Sequence, residues 1–217
     1  MKKQLIEIGA RLAERGLIAG SDGNISVRLD QNLVLITPSG LPKGRLTETD
    51  LVVTDLDGRQ IEGDLPPSSE SPMHLFVYRR RPEITACIHS HAPYATACAV
   101  SGVGLPGDIL PEVVVFVGDI PLTDYAATGT EAVPEALAPF IEDHNAFLLR
   151  NHGLLTIGRT LEEAYNRHET VEHYARIIHL ARQQGGLTSL PTEEIKRLKK
   201  MRKNREKVTP NQAKDRK

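Results

Sequence analysis

A chain of 217 residues, 40% hydrophobic and 25% charged, has the make-up of a single soluble globular domain with a sizeable core. Its two cysteines, Cys87 and Cys98, exclude a disulfide framework and suit a reducing, cytoplasmic compartment. The charges in Met1-Lys2-Lys3-Gln4-Leu5-Ile6-Glu7 interrupt the apolar run of a signal peptide, and no stretch approaches the roughly 18 apolar residues of a membrane span, so no membrane partner is expected.

The net charge of −1 is uneven: residues 195–217 hold 11 Lys/Arg against 2 Asp/Glu, a tail of +9 that leaves −10 for the remainder. Basic tails can meet acidic partners. This one has no aromatic residue for base stacking and follows an acidic body. The expected division is a globular unit over residues 1–190 and a basic, helical-to-disordered tail over 191–217, with no nucleic-acid partner.

In chain order, Leu5, Ile8 or Gly9, and Leu12 recur at helical spacing, which predicts an amphipathic helix over Lys2 to Glu14, stopped by Gly16. Gly20-Ser21-Asp22-Gly23-Asn24 bends the chain before a strand. Such a loop can aim backbone N–H groups and the Asn24 amide at an anion, although a plain turn has the same composition. Leu33 to Ile36 is a short strand that runs into a second turn, Thr37-Pro38-Ser39-Gly40. Leu51 to Thr54 and Gln60 to Gly63 form a hairpin across Asp57-Gly58. Ser68-Ser69-Glu70 precedes a helix over Pro72 to Arg80, with the proline tolerated in its first turn.

A strand over Ile84 to His91 and a helix over Pro93 to Val100 come next. Glu112 to Val117, a run of Val and Phe after the glutamate, reads as a strand. Asp119 to Ala127 is a connection, Thr130 to Glu142 a helix, and Ala146 to Arg150 a strand ending at Asn151-His152-Gly153. Leu154 to Ile157 is its neighbour. Thr160-Leu161-Glu162-Glu163 opens a long helix that reaches about Gln184. Strands and helices do not alternate regularly. The expected fold is therefore α/β, a mostly antiparallel sheet covered by helices.

Ala86-Cys87-Ile88-His89-Ser90-His91-Ala92 is the stretch with the clearest chemistry. Side chains alternate along a strand, so Cys87, His89 and His91 share a face, and two imidazoles on one face can close on one cation. His152 ends another strand. Three neutral imidazoles leave a fourth position open, the pattern of catalytic zinc. Glu70 is suited to fill that position at rest and act as a base when substrate displaces it. From the residues alone, the reading stops at a metal enzyme acting on an anion.

Five motifs in order, Gly23-Asn24-Ile25-Ser26, Thr37-Pro38-Ser39-Gly40, Ser68-Ser69-Glu70, His89-Ser90-His91 and Asn151-His152-Gly153, resemble those of the class II aldolase/adducin family, in its L-fuculose-phosphate aldolase-like branch. The resemblance spans about residues 5–185. It implies a three-layer α/β/α fold with a mostly antiparallel central sheet, in a homotetramer with active sites between subunits. It implies one Zn2+ per subunit on His89, His91 and His152, with Glu70 as catalytic acid/base and resting metal ligand. Ser21, Gly23, Asn24, Ser39, Gly40, Ser68 and Ser69 take the positions that bind the substrate phosphate.

The implied reaction is cleavage of a ketose 1-phosphate to dihydroxyacetone phosphate and an aldehyde, through a metal-stabilised enediolate. The fuculose enzymes carry a tyrosine in the stretch matching Pro111 to Val115; here Glu112 stands near that place. Tyr125 matches a tyrosine of relatives, with Asp124 replacing the proline before it. No aromatic residue follows Tyr174. These departures point from fuculose 1-phosphate toward a 5-deoxy or methylthio pentulose 1-phosphate. Ribulose-phosphate 4-epimerase and 3-oxo-acid phosphate decarboxylase chemistry are the alternatives within the family, and a non-catalytic adducin-like interaction module is the alternative outside enzymology.

Overall fold

The computed structural model describes residues 1–208. The last nine positions of the predicted tail lie outside the described residues. Among these residues, seven strands form one sheet: β1 (Asn24–Arg28), β2 (Leu33–Ile36), β3 (Val52–Asp55), β4 (Gln60–Glu62), β5 (Ala86–Ser90), β6 (Ala146–Leu149) and β7 (Gly153–Gly158). Their order is β4-β3-β2-β1-β5-β7-β6, and every neighbouring pair is antiparallel.

Among the described residues, seven α-helices accompany the sheet: α1 (Lys2–Glu14), α2 (Ser71–Arg80), α3 (Pro93–Ser101), α4 (Pro111–Phe116), α5 (Ala132–Leu137), α6 (Leu161–Gln183) and α7 (Thr192–Val208). Helices α1, α3 and α6 bury Leu5, Ala99 and Tyr165 with Ile25, Val27 and Ile88 on one sheet face. Helices α2 and α5 bury Tyr78 and Leu137 with Cys87, Phe147 and Ile157 on the other. The arrangement is the expected three layers. The period-two alternation of β5 thus sends Ile88 into one core and Cys87 into the other.

The α1 bounds match the apolar spacing because its stripe Leu5, Ile8, Gly9 and Leu12 is the face it buries. The Thr160 side chain accepts from the Glu163 backbone N–H and starts α6 as predicted.

One element is corrected. The valine-rich run expected as a strand over 112–117 is helix α4, with Pro111 in its first turn. Val113 and Val117 enter the main core, whereas Val114 and Val115 meet Leu198 of α7. A run with buried neighbours on two sides reads as apolar throughout in either conformation, so tertiary packing decided against β-propensity. The helix expected over 130–142 is also shorter, with α5 giving way to turns after Leu137. Among the described residues, no helix is long and apolar enough to cross a membrane. Cys87 and Cys98 are free thiols, and both are buried.

Candidate metal centre and anion site

Strand β5 lies in the middle of the sheet, between β1 and β7. Asn24 of β1 sits opposite His89, and Leu155 of β7 sits on its other side. The strand ends at Ser90, so His91 follows it on the chain leaving toward α3. The chain between β6 and β7 turns back through Asn151, which adopts φ +55, a conformation asparagine tolerates better than most residues. Gly153 then allows the His152 turn to lie against β5: a Cβ there would come within 2.5 Å of the Ser90 carbonyl oxygen and 3.1 Å of the His89 ring.

These turns bring one nitrogen each of His89, His91 and His152 within 4.8 Å of one another. Glu70, immediately before α2, reaches the same point. Its Oε1 is 2.9 Å from His152 Nε2 and its Oε2 is 3.3 Å from His89 Nε2. The Asn24 amide donates to Oε2 at 2.7 Å.

The tautomers follow from the outer contacts. His89 Nδ1–H donates to the Leu154 carbonyl at 3.0 Å, and His91 Nδ1–H donates to Asp22 Oδ2 at 3.2 Å. In a neutral imidazole the other nitrogen then carries the lone pair. The Nε2 atoms of His89 and His91 are both buried without a hydrogen-bond partner. Buried polar atoms are rarely left unpaired. Two buried lone pairs converging beside a carboxylate call for a cation between them, and three imidazoles with one carboxylate suit a divalent transition metal. The residues present fit such an ion.

Burial pushes the His89 pKa down to about 3, with the neighbouring imidazoles adding to the effect and Glu70 opposing it. Burial would raise the Glu70 pKa, but the His152 hydrogen bond, the His89 and His152 rings and the Asn24 amide together hold the carboxyl far below its usual range. Glu70 is therefore ionised at neutral pH.

The three segments expected to bind phosphate also meet. The Ile25 N–H donates to Thr37 Oγ1 at 3.2 Å, and the Thr37 N–H donates to the Ile25 carbonyl at 3.0 Å. The Ser39 N–H donates to the Pro66 carbonyl and the Ser68 N–H to the Thr37 carbonyl, at 3.1 and 3.2 Å. The turn of Ser39 and Gly40 thus meets the Ser68–Ser69 segment, and the loop of Ser21 and Gly23 runs into β1, where Asn24 pairs with His89. Asn24 is the exception, since its amide is engaged by Glu70 rather than left free. Glu112 is exposed on α4 and Tyr125 is 66% exposed. Among the described residues neither contacts the triad by hydrogen bond or ion pair.

Sequence reasoning missed three contributors, Asp22, the Leu154 carbonyl and Lys43. The first two orient imidazoles; Lys43 donates to the Ser21 and Leu41 carbonyls. Only the acidic residue within the Gly20–Asn24 loop left any signal in the sequence.

The family model described as "Class II Aldolase and Adducin N-terminal domain" matches residues 3–179. The chain belongs to the class II aldolase and adducin family. It is 35% identical over 201 residues to the 5-deoxy-D-ribulose 1-phosphate aldolase of Bacillus thuringiensis serovar kurstaki, covering 92% of this chain and 93% of that one. It is 36% identical over 180 residues to the 3-oxo-tetronate 4-phosphate decarboxylase of Haemophilus influenzae, covering 81% and 85%. Its fold superposes on a solved L-fuculose 1-phosphate aldolase with a TM-score of 0.85 at 38% identity, covering 93% and 95%. This class II aldolase family member is an enzyme of the lyase class.

Proposed function

We propose that the protein is a zinc-dependent aldolase that cleaves a ketose 1-phosphate to dihydroxyacetone phosphate and an aldehyde. The observation that carries the reading is the convergence of two partnerless, buried imidazole nitrogens and His152 on the Glu70 carboxylate. His89, His91 and His152 would hold the zinc, with Glu70 as the resting fourth ligand. A divalent cation held there would supply Lewis acidity to the enediolate charge that develops as the C3–C4 bond breaks.

The remaining steps belong to the chain. The loops of Ser21, Gly23, Ser39, Gly40, Ser68 and Ser69 offer N–H and hydroxyl groups to the phosphate and so fix the carbon chain over the histidines. Asn24 orients Glu70. In the synthetic direction, the ionised Glu70 carboxylate takes the carbon-bound proton of dihydroxyacetone phosphate. In cleavage, the C4 hydroxyl proton released as the aldehyde forms passes to the Glu70 carboxylate, directly or through water, and the carboxyl then delivers it to C3 of the enediolate.

A 5-deoxy or methylthio pentulose 1-phosphate is the favoured substrate over fuculose 1-phosphate. The Bacillus relative is named for a 5-deoxyribulose phosphate, and the stretch 111–115 offers an exposed glutamate in place of a tyrosine. Two shallow surface dimples flank the cluster, one lined by Glu70, Met73 and Val133 and the other by Ala126, Leu149 and His152. A second reading, decarboxylation of a 3-oxo-acid phosphate, is favoured by the likeness to the Haemophilus enzyme and passes through the same enediolate. Glu70 stands where the epimerases have aspartate, which argues against epimerisation.

The functional unit we propose is a cytoplasmic homotetramer of catalytic domains spanning 1–190, each followed by the basic segment 191–217. Val100, Val103, Phe116 and Leu180 are exposed apolar side chains that a second subunit would cover. The experiment is a panel of ketose 1-phosphates and 3-oxo-acid phosphates offered to zinc-loaded protein. Dihydroxyacetone phosphate released together with an aldehyde supports the aldolase and names that aldehyde. Carbon dioxide released in place of an aldehyde, with dihydroxyacetone phosphate as the other product of a 3-oxo-tetronate 4-phosphate, moves the assignment to the decarboxylase. Light scattering on the same sample reads the subunit number.

A further inference from the structure

All seven groups expected to bind phosphate are neutral, yet a phosphoryl group carries up to two negative charges. The nearest cation in sequence, Lys43, lies three residues beyond Gly40, and it is only 2% exposed. Its ammonium donates to the Ser21 carbonyl at 2.6 Å and to the Leu41 carbonyl at 2.9 Å. One bond ends in the loop of Ser21 to Asn24 and the other beside the turn of Ser39 and Gly40. Lys43 therefore ties the two anion loops together from beneath.

Both acceptors are neutral. Among the described residues Lys43 has no carboxylate within ion-pair distance, and burial lowers its pKa while Asp22 and Glu70 oppose the shift from further off. A buried ammonium with no counter-ion is unfavourable unless something compensates it. The fold nonetheless holds it firmly. The short 3-10 turn Lys43–Arg45 is pressed against α1. A Cβ on Gly9 would meet the Lys43 carbonyl oxygen at 2.4 Å, and one on Gly44 would meet Ala13 Cβ at 2.6 Å. On the other side, the ideal Cβ positions of Gly20 and Gly40 meet nothing within 4 Å, so the loops above Lys43 border open space.

We infer that Lys43 is a positioning residue for the substrate phosphate, a buried ammonium that sets the spacing of the two loops and supplies the counter-charge to a dianion seated on them. The inference rests on the reading of residues 21–24, 39–40 and 68–69 as the phosphate site. It gives that site the cation the sequence motifs lack.

The test uses full-length, zinc-loaded protein and inorganic phosphate as the probe, titrated by calorimetry. Lys43→Gln keeps an N–H donor for the two carbonyls and removes the charge; Lys43→Met removes both. Ser68→Ala reports on the phosphate site itself. The expected result is that the two Lys43 variants fold, keep their zinc and bind phosphate about tenfold or more weakly. With ketose 1-phosphate, KM should rise by a similar factor while kcat stays within about threefold. Binding of neutral dihydroxyacetone should not change.

Wild-type phosphate affinity in Lys43→Gln, with Ser68→Ala impaired, overturns the role of Lys43 and leaves the phosphate site standing. Wild-type affinity in all the variants, or no phosphate binding by the wild type, removes the phosphate site and the inference with it. Equal losses for phosphate and dihydroxyacetone, or failure of both Lys43 variants to fold, reduce Lys43 to a structural cross-link and also overturn the inference.

Discussion

Ser90 Oγ lies 2.6 Å from His168 Nε2, on the opposite face of β5 from His89. His168 is completely buried in α6, and its tautomer is fixed by its neighbours. Thr156 spends its hydroxyl proton on the Ala164 carbonyl, so it accepts from His168 Nδ1–H at 3.0 Å. His168 Nε2 then accepts from the Ser90 hydroxyl, and Ser90 Oγ in turn accepts from the Ala92 N–H. A neutral imidazole thus braces the one residue that separates the two metal-strand histidines.

This brace makes stability pH-dependent. Burial pushes the His168 pKa down to about 3, below the roughly 6.5 of an unfolded histidine. Between those values the unfolded chain binds the proton and the folded one does not, so stability is full above about pH 6.5 and is lost as pH falls toward 3. The slope for one such proton is about 1.4 kcal/mol per pH unit. Urea unfolding of wild type and His168→Gln between pH 4 and 8 should differ in slope by about one proton below pH 6.5. Parallel curves would mean that His168 is already protonated in the fold.

The contact between His91 Nδ1 and Asp22 at 3.2 Å orients an imidazole proposed here as a metal ligand, and such partners typically contribute about 10–100-fold in metal affinity. Asp22→Asn keeps the side-chain shape but replaces the carboxylate by a weaker acceptor. Zinc competition against a chromophoric chelator should show affinity falling toward that range, with the melting temperature of the metal-free protein nearly unchanged.

Gly153 lets the His152 turn pack directly against β5. Gly153→Ala would place a Cβ 2.5 Å from the Ser90 carbonyl oxygen. Overpacking of this kind costs about 1–3 kcal/mol, and here the strain falls between His152 and β5. Zinc stoichiometry should drop below one per chain, together with the melting temperature. Gly104→Ala, whose Cβ would meet nothing within 4 Å, should leave both unchanged.

Much of this was legible in the sequence where local pattern and tertiary role coincide. The α1 stripe, the strands at 33–36 and 146–149, and the Thr160 cap follow their period and turn chemistry directly. His89 and His152 were legible because each sits at a strand end with recognisable neighbours. Val113 to Val115 were misread because an apolar run buried on two sides carries no period. Lys43 was missed for a different reason. Its partner at Ser21 is distant in sequence, and a lysine in a Gly-Arg-Leu context reads as a solvated turn residue. Only the packing of α1 on the 43–45 turn turns it inward.

The most direct measurement is metal removal and return. A ketose 1-phosphate that the wild type cleaves is offered to chelator-stripped protein while zinc is titrated back, with His152→Ala and Glu70→Gln alongside. Dihydroxyacetone phosphate release should vanish on stripping and return with one equivalent of zinc per chain. It should stay at least about 100-fold lower in both variants at saturating zinc. Undiminished release from the stripped protein, or from Glu70→Gln, would contradict the metal-and-carboxylate account.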